Sequence, residues 1–363
     1  MLTVITAVVV IAVITAAFLV TRRSGSAPGP EVSVSRCRQQ AEKLGKPWSF
    51  SEPPSGAAPA SPFKRAGIFV PQYGDALSAA SAAQKAGNDG EAERLRRIAA
   101  QPTATWFADS SVTGHALTEQ VAGVVGQARR QHKVATLVAY NIPLRDCGGY
   151  SAGGASSAQA YVAWIKAFAA GLQQGRASDG PGVAVILEPD ALGLLNNLPE
   201  DRQTERLDLL RAATTRLSDV SGTAVYLDAG TVGWLSPEQA AERLSKAGVA
   251  HARGFSLNVS NFYRADDVVD YGRQISAKVG WKSFVIDTGR SGNGPLKGGG
   301  DNWCNPQGRA LGPTPQAAPV ANVDAYLWVK PPGESDGDCG RNEPKAGQFW
   351  PSYADQLARN AGW

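Results

Sequence analysis

Several extended runs of this 363-residue chain end on a carboxylate. VATLVAYNIPLRD closes on Asp146, VAVILEPD on Asp190, TAVYLD on Asp228 and SFVID on Asp287, while YLWVKPPGESD carries the pattern on to Glu334 and Asp336. A single acid at such a place is as well explained by helix capping or an ion pair. Several acids converging on one rim repel, and each raises its neighbours' pKa, so that one stays protonated near neutral pH. Cleavage of a glycosidic bond needs that combination: a protonated acid for the leaving oxygen and an ionised partner to activate water. Competing chemistries find little support. His115, His132 and His251 are far apart and make no HExxH spacing for a metal. No GxSxG marks a serine nucleophile, and a histidine-based triad has few candidates. The expectation is a glycoside hydrolase with no metal and no cofactor.

The acids need a scaffold that gathers strand ends. AGIFV (66–70), TATWFA (103–108), VATLVAY (134–140), VAVILEP (183–189), TAVYLDA (223–229), GFSLNVS (254–260), SFVIDT (283–288) and VDAYLWV (323–329) read as strands. Between them, ALTEQVAGVVGQARRQ, SAQAYVAWIKAFAAGLQ, DRQTERLDLLRAATTRL and PEQAAERLSKAG read as helices. Strand and helix alternating at a spacing of roughly 40 residues predict an α/β fold of parallel strands closed, or nearly closed, as a barrel. An open doubly wound sheet is the alternative, weakened because no glycine-rich nucleotide fingerprint follows any strand. In a barrel of this kind function gathers on the loops at the carboxyl ends of the strands, where these acids lie.

Composition narrows the substrate. Hydrophobic residues make up 43% of the chain and charged ones 19%, which suits a folded globular protein. Arg22, Arg23, Arg36, Arg38, Lys43 and Lys46, set against Glu31 and Glu42, already account for the formal charge of +4. The rest of the chain is neutral, which argues against nucleic acid and for a neutral polymer. Nine tryptophans, several beside polar loop residues, could supply flat faces for sugar rings.

The chain resembles glycoside hydrolase family 6, the inverting cellulases, from about Lys64 to the C-terminus. The resemblance is carried in order by VAYNIPLRDCGGYSAGG, LEPDALGLL, YLDAGTVGWL, GFSLNVSNFY, IDTGRSGNGP, NWCNPQGRALG and YLWVKPPGESDGDCG. It implies a distorted, partly open parallel (β/α) barrel of about seven strands, with a β-glucan lying across its top. It further implies that Asp190 is the general acid and that Asp146 keeps Asp190 protonated while helping to hold the distorted sugar and the catalytic water. Asp336 becomes the candidate base, the alternative being a proton leaving through a water chain involving Asp146 and Ser151. Tyr140 would press on the distorted ring, and Arg145 would pair with an acid. Asp228, Trp234, Asn258, Lys330 and Glu334 match substrate-contacting or electrostatic positions, and Trp106 and Trp303 match stacking platforms. Cys304 and Cys339 match a disulfide of the family, which implies an oxidising compartment. The family's other bridge lacks its partner here, since LGLLNNLPE holds no cysteine, and Cys37 is the remaining candidate for Cys147.

The expected organisation is a hydrophobic signal or anchor segment over 1–23, a Pro/Gly/Ser-rich linker region over 24–63 with a short helical stretch near Arg36–Gly45, and the catalytic domain over 64–363. Residues 1–20 are free of charge and long enough to span a bilayer. Arg22 and Arg23 after them would favour retention inside, against the disulfide; export is taken as the reading, with cleavage or anchoring in the membrane as the two outcomes. Short connections predict an open cleft and internal cutting. An exo-acting cellobiohydrolase and a non-catalytic glucan-binding envelope protein are the rivals, and a monomer is the default.

Overall fold

The computed structural model describes residues 30–51, 59–64, 66–72, 74–176, 180–298 and 302–363. The hydrophobic stretch 1–20 lies outside the described residues, and among those no helix is long and apolar enough to cross a membrane. One sheet organises the molecule. Strands β1 (Thr105–Phe107), β2 (Ala135–Ala139), β3 (Val183–Leu187), β4 (Thr223–Asp228), β5 (Gly254–Leu257) and β6 (Ser283–Asp287) pair in chain order, each parallel to the next. β7 (Gln316–Ala317) runs antiparallel on the outer side of β8 (Val323–Leu327), which pairs parallel with β6. Among the described residues, seven parallel strands thus form the partly open barrel that the family resemblance implies.

Side-chain alternation divides the sheet into two apolar layers. Val138, Ala184, Ile186, Ala224, Tyr226, Val285, Ala325 and Leu327 fill the barrel interior. Their neighbours Leu137, Val185, Leu187, Val225, Leu227, Phe255 and Ile286 face the helices. Those helices are α4 (Gly114–Arg130), α5 (Ala158–Gly175), α6 (Glu200–Ser218), α7 (Pro237–Lys246) and α8 (Ala265–Lys278). α5 begins at Ser157, whose hydroxyl caps the Ala160 N–H, and α7 begins with a full capping box between Ser236 and Gln239. α4 and α5 approach closely because a Cβ on Gly171 or Gly175 would lie 2.6 or 2.7 Å from a carbonyl of α4.

Two elements depart from expectation. AGIFV makes only a single parallel bridge, Ile68 to Val134, rather than a strand. Pro71 lacks the donor that would extend that pairing. After it the chain enters the unforeseen helices α2 (Asp75–Lys85) and α3 (Asp89–Ala99), which pack with the C-terminal helix α9 (Pro351–Asn360) around Trp328. Ahead of the barrel, helix α1 (Pro30–Ala41) and the segment behind it lie within the interval read as linker. Buried Cys37 and Ala41 dock this stretch onto Leu144, Cys147 and Leu198.

Candidate active site

The register that pairs Ala139 with Leu187 and Leu187 with Leu227 brings Tyr140, Glu188 and Asp228 to one level at the carboxyl edge. Asp228 continues the inward phase of Ala224 and Tyr226, and Asp287 that of Val285. Past β3 the chain turns through left-handed backbone at Glu188 (φ 50°) and Asp190 (φ 68°). Such conformations in non-glycine residues mark a chain bent for a purpose. The bend aims the backbone N–H of Asp190 at Asp228 Oδ1, at 3.0 Å.

Asp190 is half-buried. Loss of solvent pushes its carboxyl well above the usual range, and the charges of Asp228, Asp146 and Asp336 add to this against the pull of Lys330. Asp228 is raised by burial to about 7, although it accepts hydrogen bonds from Asp190 N–H, Gly230 N–H and the Ser256 hydroxyl. Asp146 is raised by burial, restrained by the Ser151 N–H at 2.7 Å and by Arg145 and Lys330. A Cβ on Gly149 would lie 2.3 Å from the Asp146 carboxylate, so the turn around that acid admits only glycine there.

Asp336 is the opposite case. Arg290 donates to both of its oxygens (2.8 and 3.0 Å), Lys330 Nζ to Oδ1 (2.8 Å) and Asn305 N–H to Oδ2 (3.0 Å). Against the cost of burial, the Arg290 and Lys330 cations hold it down at about 2. The site therefore contains acids pushed apart in proton affinity, the arrangement that separates a proton donor from a fixed anion.

The remaining expected residues fall around this centre. Trp106 sits on β1, with its indole N–H on the Val329 carbonyl (2.8 Å) and its ring edge-on to Tyr140. Tyr140 is buried, and burial together with Asp190 and Asp146 keeps its hydroxyl protonated. Arg145 does not make the expected ion pair. Among the described residues its guanidinium donates to the carbonyls of Ala108, Tyr140 and Ser151 and stacks 4.5 Å from the Tyr140 ring centre. Those carbonyls hold the guanidinium through Nε and Nη1, and it acts on Asp146 through its charge alone, lowering that acid's proton affinity. Asn258 is also spent: its amide donates to Tyr263 O and Asp287 O, and its oxygen accepts from the Thr231 hydroxyl and Tyr263 N–H. Trp234 (41% exposed) and Trp303 (46% exposed) keep open faces, the former over Gly193 and Gly230, the latter beside Tyr150. Glu334 is half-buried and raised by burial to about 7. Both disulfides are present, Cys304–Cys339 and Cys37–Cys147. Among the described residues no group of three acids, histidines or cysteines is arranged to hold a metal ion.

Three further residues belong to the site. Glu188 accepts the N–H groups of Asn141 and Ile142 (3.0–3.1 Å), and Arg206 donates to the Pro143 and Leu144 carbonyls (2.8 and 3.0 Å). Together they fix the entry of the loop that carries Asp146. Arg290, in IDTGRSGNGP, holds Asp336. Glu188 stands inside LEPD and could have been flagged by its place two residues before Asp190. Arg206 lies mid-helix and gives no such signal.

These proton affinities predict a two-sided pH dependence of stability. Glu188, Asp228 and Glu334 are all raised to about 7 from ordinary values of 4.5, 3.8 and 4.5. Their contribution is complete below the unfolded value and is lost as pH rises toward 7. Asp336, lowered to about 2 from 3.8, contributes above its unfolded value and loses that as pH falls toward 2. Thermal unfolding midpoints should therefore peak at about pH 4, where the two windows meet, and fall on both sides. A midpoint still rising between pH 5 and 8 would contradict this assignment.

The comparisons with known proteins agree with the geometry. A family model described as glycosyl hydrolases family 6 matches residues 63–361. Endoglucanase A of Cellulomonas fimi is 43% identical over 270 residues, covering 74% of this chain and 56% of that protein. This chain thus spans little more than half the length of that relative. Endoglucanase 1 of Streptomyces halstedii is 39% identical over 295 residues, covering 78% of this chain and 87% of that protein. Among solved structures, the endoglucanase Cel6 from Mycobacterium tuberculosis, in complex with methyl-cellobiosyl-4-deoxy-4-thio-β-D-cellobioside, superposes with a TM-score of 0.78. It is 43% identical, with 84% of this chain and 100% of that chain covered.

Proposed function

This chain belongs to glycosyl hydrolases family 6, and from that premise we propose that it cuts internal β-1,4-glucosidic bonds of a cellulose-like glucan with inversion at the anomeric carbon. The observation that carries the reading is Asp190, a half-buried acid kept protonated by loss of solvent and by Asp228 and Asp146, at the rim where Trp106 and Tyr140 meet. Asp190 gives its proton to the glycosidic oxygen as the bond to the anomeric carbon breaks. Water adds to that carbon from the opposite face and releases one proton in turn.

The route of that second proton follows from lone pairs. A carboxylate offers about four acceptor positions, and on Asp336 two hydrogen bonds fall on each oxygen. Among the described residues Asp146 accepts one, from Ser151 N–H, which leaves capacity for water. We read Asp146 and Ser151 as the relay and Asp336 as the fixed anion that balances Arg290 and Lys330. Trp106, Trp234 and Trp303 serve as sugar platforms. Asp228, Lys330 and Glu334 set the field in which Asp190 holds its proton, and Arg145 and Asn258 shape the wall.

Internal cutting is supported by the short connections over the barrel and by relatives named endoglucanases at 39–43% identity. A protein named 1,4-beta-D-glucan cellobiohydrolase, from Podospora anserina, is 32% identical. Residues 64–363 form the catalytic domain on this reading. Two disulfides support export to an oxidising compartment, by release or by anchoring through residues 1–20. The test is viscosity against reducing ends on carboxymethylcellulose. A steep viscosity fall at low reducing-end yield is expected. Reducing sugar released as cellobiose with viscosity almost unchanged would replace this reading with exo action, and binding without either would support a glucan-binding envelope protein.

A further inference from the structure

The inference rests on the hydrolase reading above and concerns the stretch ahead of the family match, which begins at residue 63. Cys37 in α1 is bonded to Cys147 across 110 residues of chain, and Cys147 directly follows Asp146. α1 and the turn behind it bury Leu144 and Cys147 with Leu198. The two residues covered by this helix therefore bracket Arg145 and Asp146. The mount itself is firm. Trp48 N–H donates to Glu205 (2.8 Å), Phe50 N–H to Asp208 (3.3 Å), and the Arg202 guanidinium to the Gly45 carbonyl. All three acceptors or donors on the barrel side belong to α6.

The loop needs such a mount. Leu144 (φ 57°) and Asp146 (φ 42°) are both left-handed, a conformation that non-glycine residues keep only where their surroundings impose it. Glu188 and Arg206 fix the chain from the barrel side as far as Leu144. On the far side of Asp146 stand the Ser151 N–H, the Arg145–Gly153 bridge and the disulfide. The Gly149 N–H also holds the Asp146 carbonyl (2.8 Å), and the disulfide, one residue from Asp146, is the covalent member of this set.

We propose that the N-terminal helix, through the Cys37–Cys147 bond, positions Asp146 against Asp190, making a segment outside the family's matched region a working part of the active site. Cys37 and Cys147 are positioning residues, acting through Asp146. With the bond absent, residues 144–151 relax and Asp146 draws away. A displacement of about 1 Å at such a group is enough to cost orders of magnitude in rate. Asp190 then loses one of the negative charges that keep its proton. The other charged groups on it, Asp228, Asp336 and Lys330, lie on β4 and beyond β8 and do not depend on the bond.

The experiment compares the full chain with its Cys37→Ser variant on a soluble cello-oligosaccharide. The expected result is a kcat lower by about fivefold or more, a KM within about twofold, and the alkaline limb of kcat/KM displaced to lower pH. Unchanged kcat and pH limb, with only a lower unfolding temperature, would overturn the inference and leave the bond a staple. If the variant does not accumulate folded, dithiothreitol on the folded full chain replaces it. The reagent closes to its cyclic disulfide as Cys37 and Cys147 each gain a hydrogen, and thiol mapping identifies preparations in which Cys304–Cys339 is intact. The same kcat and pH criteria decide. A full chain that leaves the oligosaccharide uncut overturns the hydrolase reading itself, whereas turnover indifferent to the bond overturns this inference alone.

Discussion

Asp190→Asn is expected to lower kcat on carboxymethylcellulose by roughly 10²–10⁴-fold while leaving KM nearly unchanged. The amide has the shape of the carboxyl and can still accept a hydrogen bond, but it has no acidic proton for the leaving oxygen. The loss should depend on the leaving group. A β-cellobioside of an acidic phenol departs without protonation, so on such a substrate the variant should approach the parent. Equal losses on both substrates would show that Asp190 acts on charge or position and is not the proton donor. Stability should move the other way. The Asp190 carboxyl is raised by burial, so folding is increasingly penalised as pH climbs from the ordinary carboxyl value toward the raised one. At alkaline pH the amide variant should unfold at the same temperature as the parent or higher.

Much of this was legible because strand ends carry their own marks. β-branched runs closing on Asp146, Asp190, Asp228 and Asp287 place those acids on one rim once a parallel barrel is assumed, and the barrel follows from the strand–helix rhythm. Alternation along each strand then assigns Asp228 and Asp287 to the interior face. What could not be read is how each acid's hydrogen-bonding capacity is spent. Asp287 accepts from Gly289, Ser260, Val329 and Lys330 backbone N–H groups, so a rim acid that looks catalytic in sequence ties β6 to the loop after β8. Asn258 is consumed in the same way. The place of Glu188 in LEPD marks it as a rim acid, but its grip on the Asn141 and Ile142 N–H groups depends on left-handed backbone at 188 and 190, which strand alternation does not show. α2 is rich in Ala and Ser and presents a weak apolar stripe, so its packing against Trp328 depends on partners hundreds of residues away. The Cys37–Cys147 bond is legible only by elimination, since both cysteines are left over when Cys304 and Cys339 pair.

Asp336→Ala is expected to damage stability and activity together. Arg290 is 1% exposed and Lys330 11% exposed at their side chains, and both meet the Asp336 carboxylate at 2.8 Å. Removing the acid leaves two cations facing each other out of water. Breaking a buried pair by deleting one partner costs about 3–5 kcal/mol, and in a domain of this size that lowers the unfolding midpoint by roughly 10 °C. The cause of the activity loss can then be isolated. If Asp336 were the base, a small anion such as azide or formate diffusing into the vacated space should restore turnover, because it would accept the proton or replace the water. If Asp336 is the fixed counter-ion, unfolding temperature and kcat should recover together, and as well with chloride, which pairs with Arg290 and Lys330 but is too weak a base to take the proton. The second outcome is expected, since a carboxylate held at about 2 is a feeble base and all its acceptor positions are filled. Lys330→Met in the Asp336→Ala background supplies the complementary measurement. It removes one of the stranded charges, so it should recover part of the lost stability and, with the proton route through Asp146 and Ser151 intact, part of the lost rate. Recovery of stability alone would mean that the Asp336 carboxylate itself takes part in the chemical step.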